Sequence, residues 1–143
     1  MRLKLPYQKE SREYYRRLKK TDVVWQKGMD AMIRAAQGDE DFQTRLERVL
    51  KIRAATGELG RSLPPKPWKK EEDVFVGCAD DLLLAMFADE AQRRAAAPGS
   101  REQSLRYLLD LLYGIPWNHL QWTEGTRKRI EKEIRKILEQ KSK

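Results

Sequence analysis

Residues 71–97 read EEDVFVGCADDLLLAMFADEAQRRAAA. Val74, Cys78, Leu82, Ala85 and Met86 recur three and four positions apart, and Phe75, Leu83 and Phe87 widen that stripe. A helix apolar over so broad an arc belongs at the centre of a bundle rather than on its surface. Glu71, Glu72 and Asp73 open it, and Pro98 and Gly99 break the chain after it.

Upstream, residues 61–70 read RSLPPKPWKK. Three prolines in four residues forbid a helix and favour an extended connector. This segment reads as a crossover within one bundle, because neither flanking half is comfortably large for an independent domain. A subdivision into 1–60 and 71–143 is the other organisation considered.

Before the connector, residues 8–20 read as a first helix with a thin apolar side of Tyr14, Tyr15 and Leu18. Thr21 or Asp22 caps a second. Its stripe is Trp25, Met29, Met32, Ile33 and Ala36, and Gly38 is expected to end it in a left-handed conformation. Asp39 to Asp41 supply negative charge at the next N-terminus, favourable against the helix dipole. Phe42, Leu46, Val49, Leu50 and Arg53 then follow at helical spacing, with Ile52 beside them, and mark a third helix that stops near Gly57 or Gly60.

Beyond Pro98, Ser100 and Gln103 form a plausible capping box. Leu105, Leu108, Leu109 and Leu112 make a fifth helix ending at Gly114. Thr123 or Thr126 caps the last helix, whose stripe is Ile130, Ile134, Ile137 and Leu138. No segment alternates long enough to read as a strand. The expected fold is all-α: a single-domain bundle of five or six helices over residues 1–143, with a Pro-rich crossover near 61–70. The tail at 139–143 is expected to fray.

The net charge of +8 is uneven. Residues 1–20 carry +6, residues 61–70 +4 and residues 123–143 +4, whereas residues 71–97 carry −5. A polyanion is the partner such a balance suggests. Lys9, Arg12, Arg16 and Lys19 or Lys20 form one cationic stripe on the first helix, with Arg17 beside it and Tyr7, Tyr14 and Tyr15 interleaved. Cations neutralise phosphates, and aromatic rings can stack on exposed bases. Lys69 and Lys70 in the connector, and Arg127 and Lys128 on the last helix, are further candidates. That last stripe continues through Lys132 to Arg135 or Lys136. The i,i+4 pairs Glu124–Lys128 and Glu131–Arg135 draw part of it inward.

Catalytic patterns are absent. Cys78 is the one cysteine and lies on an apolar stripe, and His119 is the one histidine, so no zinc set or nucleophile pair is spaced for chemistry. The glycines at Gly57 and Gly60 lack the spacing of a phosphate loop. The carboxylates Asp73, Asp80 and Asp81 are spaced to share one side of their helix; a solvated face or a dock for basic helices explains them better than a metal. No cofactor and no metal is expected. The longest apolar run, residues 82–88, is far short of the ~20 residues a bilayer span needs. With no signal-type segment and a lone cysteine, the expected location is cytoplasmic.

Two short stretches resemble known families. Residues 114–128, GIPWNHLQWTEGTRK, resemble the turn and recognition helix of phage-repressor-type helix-turn-helix proteins, although Asp110 stands where that motif takes a small residue. Residues 104–117, SLRYLLDLLYGIPW, are similar to the segment preceding the ATPase module of Lon-type proteases, but no nucleotide-binding motif follows. Neither implies a function for the whole chain.

The leading expectation is a non-enzymatic, nucleic-acid-associated protein that contacts DNA or RNA phosphates through basic helical stripes. The alternative is a protein-binding adaptor or regulatory factor of phage or mobile-element type. It would dock on an acidic protein surface through Trp68, Trp117 or Trp122, since tryptophan is enriched at interface hot spots.

Overall fold

The computed structural model describes residues 12–13, 15–18, 22–56, 67–114 and 124–139. They form an all-α bundle with no strand among the described residues. A short helical piece, α1, covers residues 12–13 and 15–18. It is followed by α2 (Val23–Ala36), α3 (Phe42–Thr56), α4 (Glu71–Ala96), α5 (Arg101–Gly114) and α6 (Glu124–Leu138).

The 26 residues of α4 form the axis. At ~1.5 Å per residue this helix is about 39 Å long. Asp73 through Ala88 are buried without a break, so the broad apolar arc does mark a central helix. Its neighbours each press one apolar stripe on it. Trp25 of α2 meets Phe75 with ring centroids 5.0 Å apart, and Phe42 of α3 meets Phe87 edge-on at 5.1 Å. Ile130, Ile134, Ile137 and Leu138 of α6 and Leu108 and Leu112 of α5 join the same core. Residues from both sides of the connector thus share one apolar cluster. Phe42 pairs with Phe87, and Arg53 with Asp80, so α3 runs antiparallel to α4.

The helix ends follow local chemistry. Asp22 caps α2: its Oδ1 accepts from the backbone N–H of Val24 at 3.0 Å and of Trp25 at 3.2 Å. Asp41 accepts from Thr44 N–H at 2.8 Å, and Ser100 Oγ from Gln103 N–H at 3.2 Å. Each satisfies a donor that the first helical turn leaves without a carbonyl. Asp22→Ala is therefore expected to lower stability by about 1 kcal/mol, read as a lower urea midpoint with an unchanged slope.

One terminus expectation needs correction, and another loses one of its two alternatives. α2 ends through Gln37, whose N–H bonds back to Ile33 and Arg34 carbonyls, and Gly38 does not adopt a left-handed φ. That conformation falls instead on Gly99, at φ 129°. Thr126 does not cap α6 but lies within it, where its hydroxyl serves another helix. Thr123 lies outside the described residues.

Candidate nucleic-acid interface

The acidic residues of α4 decide which cations remain at the surface. Asp80 and Asp81 are both buried, and their partners come from two other helices. Arg53 of α3 donates from Nη2 to Asp80 Oδ1 at 3.0 Å, with both side chains almost wholly buried. Thr126 of α6 donates to Asp80 Oδ2 at 3.2 Å, and Arg129 of α6 donates to Asp81 Oδ1 at 2.9 Å. The two carboxylates therefore dock α3 and α6 onto the axis. Burial pushes the Asp80 carboxyl up, against the opposing pull of Arg53.

Nearer the end of α4, Glu90 is 1% exposed and gathers three arginines. Arg94 donates to it from Nε at 2.8 Å, Arg93 reaches it through Nε and Nη2, and Arg45 Nη2 lies 3.8 Å away. Arg45 also donates to the Ala36 and Glu40 carbonyls, so it ties the α2–α3 corner to α4. The Arg94 guanidinium stacks 4.3 Å from the Tyr107 ring centroid. The i,i+3 and i,i+4 spacing of Glu90 with Arg93 and Arg94 was readable from sequence, but its burial was not.

The proposed cationic residues separate into three groups. Arg17 is taken up by the fold: it is half-buried and donates from Nη2 to the Trp68 carbonyl at 2.8 Å. Arg127 is likewise half-buried, with its guanidinium 5.2 Å from the Tyr113 ring centroid. Arg12, Arg16, Lys69, Lys70 and Lys128 are exposed. Lys9, Lys19 and Lys20 lie outside the described residues.

On α6 the stripe resolves by residue type. Arg129 is bonded to Asp81, and Arg135 is held between Glu131 and Glu139. Lys128, Lys132 and Lys136 stand exposed at i, i+4 and i+8; Lys132 and Lys136 have no carboxylate partner among the described residues, whereas Lys128 helps Tyr113 and Arg135 to hold the Glu131 carboxyl down. Arg16, Lys69 and Lys70 are also exposed without such a partner. Lys132 and Lys136 thus join the candidate surface, and Arg17 and Arg127 serve mainly to hold it together.

The aromatic candidates are placed differently from the adaptor expectation. Trp68 is 5% exposed and belongs to the core cluster, so it is not available as a surface anchor. Its indole fills the bare side of Gly77, where a Cβ would collide with the ring. Tyr15 turns inward to donate its hydroxyl to Asp30, and burial followed by that carboxylate pushes its own pKa up. Trp117, Trp122, Tyr7, Tyr14 and His119 lie outside the described residues, as does most of the helix-turn-helix-like stretch.

Cys78 is buried. Among the described residues, no three acidic, cysteine or histidine side chains are grouped to hold a metal ion. A cleft at the α2–α3 corner is lined by Gln37, Asp39, Asp41, Phe42, Asp89 and Arg93, among others. No described helix is long and apolar enough to cross a membrane. No protein-family model, curated protein or solved structure matches the chain.

Proposed function

We propose that this is a non-enzymatic, nucleic-acid-associated protein that binds phosphates through exposed cations. One observation carries the reading. The buried carboxylates of α4 consume particular arginines, whereas Arg16, Lys69, Lys70, Lys128, Lys132 and Lys136 stay exposed to solvent. Asp80, Asp81 and Glu90 of the acidic helix are thus paired with arginines while these other cations keep their exposure. Flexible lysines with hydrated ammonium groups suit contacts to phosphates, which position a nucleic acid without reading its sequence.

The adaptor alternative has less support, since Trp68, one of its three anchors, is spent inside the core. An acidic protein surface remains the competing class of partner.

The test is fluorescence anisotropy with labelled DNA and RNA at two salt concentrations. If about six phosphates are neutralised, affinity should fall on the order of 10³-fold between ~50 and ~200 mM salt. No binding at low salt would end the reading. Competition by polyglutamate as strong as by nucleic acid, at matched charge, would assign the surface to an acidic protein instead.

A further inference from the structure

Trp68 and α6 are far apart in sequence but meet the same face of α4. Gly77, Asp80 and Asp81 are three and four positions apart, the spacing that brings helical residues onto one side. Trp68 of the connector seats on Gly77. Thr126 and Arg129 of α6 seat on Asp80 and Asp81. The two attachments are thus one helical turn apart, ~6 Å along the axis.

Each attachment carries exposed lysines with it. Lys69 and Lys70 directly follow Trp68. Lys128 lies between Thr126 and Arg129, and Lys132 follows one turn later. Arg17 bonds the Trp68 carbonyl and so brings Arg16 of α1 to the connector.

We infer that the connector and α6 form one continuous cationic track, engaged by a single nucleic-acid backbone. This rests on the phosphate-binding reading above and adds its geometry. The spacing of the two halves is fixed by the buried contacts at Gly77, Asp80 and Asp81 rather than by the lysines themselves. The ligand is a phosphodiester backbone, which presents a charge about every 3.4 Å along each strand and so can meet both halves at once.

The test uses the full chain and a 10-base-pair duplex, ~34 Å long, as DNA and as RNA in parallel. Stoichiometry, affinity and salt slope are read for wild type, K69A/K70A, K128A/K132A and the fourfold variant. All four positions are exposed, and such substitutions change stability by only about ±0.5 kcal/mol, so the variants should fold. The expected result is one duplex per protein. Each alanine pair should lower affinity about tenfold and reduce the log–log salt slope by about 2. The losses should combine in the fourfold variant.

Two duplexes per wild-type protein, one abolished by each pair while the other keeps its affinity, would overturn the track. So would indifference to K128A/K132A. Failure of the wild type to bind any duplex at low salt would instead overturn the phosphate-binding reading itself.

Discussion

Arg53→Met should destabilise the bundle by about 3–5 kcal/mol near pH 8, and the deficit should shrink as the pH is lowered. Methionine keeps much of the apolar stem and removes the charge. The variant strands Asp80, which is buried and otherwise bonded to Thr126 and adjacent to the acidic Asp81. In the wild type, burial already pushes the Asp80 carboxyl up, and Arg53 is the largest influence pulling it back. A carboxyl raised in the folded state binds more protons folded than unfolded. Its contribution to stability is therefore poorest above the folded value and improves as the pH falls through it. Without Arg53 that value climbs further, so protonation relieves the variant from a higher pH than it relieves the wild type. Urea unfolding at several pH values between ~8 and ~5 would measure both curves. A deficit of constant size across that range would mean that Asp80 is not the charge Arg53 compensates. Arg53→Met combined with Asp80→Leu should recover most of the loss, since an apolar pair can replace a buried ion pair. A loss of ~1 kcal/mol should remain for the Thr126–Asp80 hydrogen bond that the pair variant lacks.

This junction also marks where reading the sequence stops. The centrality of α4 was legible because an apolar arc is a property of one helix and needs no knowledge of neighbours. Caps such as Asp22 and Ser100 were legible because their partners lie two or three residues away. Arg53 and Asp80 are separated by 27 positions, and Thr126 and Asp80 by 46. Nothing in local spacing pairs them, so a dock for basic helices stood beside a solvated face as equal explanations of the same acids. The candidate surface failed and succeeded for the same reason. Helical periodicity placed Arg16 on the cationic stripe and Arg17 beside it as a further candidate, yet Arg16 faces solvent and Arg17 reaches the Trp68 carbonyl. Which cation is consumed depends on a neighbouring element, and that is a tertiary fact.

The second large effect concerns the notch that Gly77 provides. Gly77 is buried in the interior of α4, the central helix, where alanine would ordinarily be the better helix former. Here an added methyl would overlap the Trp68 ring. Gly77→Ala should thus cost about 1–3 kcal/mol or more through overpacking, instead of the modest gain that propensity alone would give. Trp68→Ala should cost about 3–5 kcal/mol, because a large side chain that is 5% exposed would leave a cavity. The double variant should be less destabilised than the sum, since the methyl then enters space the indole has vacated. Thermal or urea unfolding of the four proteins gives this coupling directly. Gly77→Ala as stable as the wild type would show that the indole does not need the notch. Emission from Trp68, isolated as the difference against Trp68→Ala, should shift red in Gly77→Ala as the ring moves toward water. The same displacement would loosen Lys69 and Lys70, which follow the indole in the chain, from their position on α4. Gly77→Ala should therefore weaken duplex binding under conditions where the protein remains folded, although it alters no charge. Unchanged affinity and salt slope in that variant would mean that the lysines act without a fixed spacing.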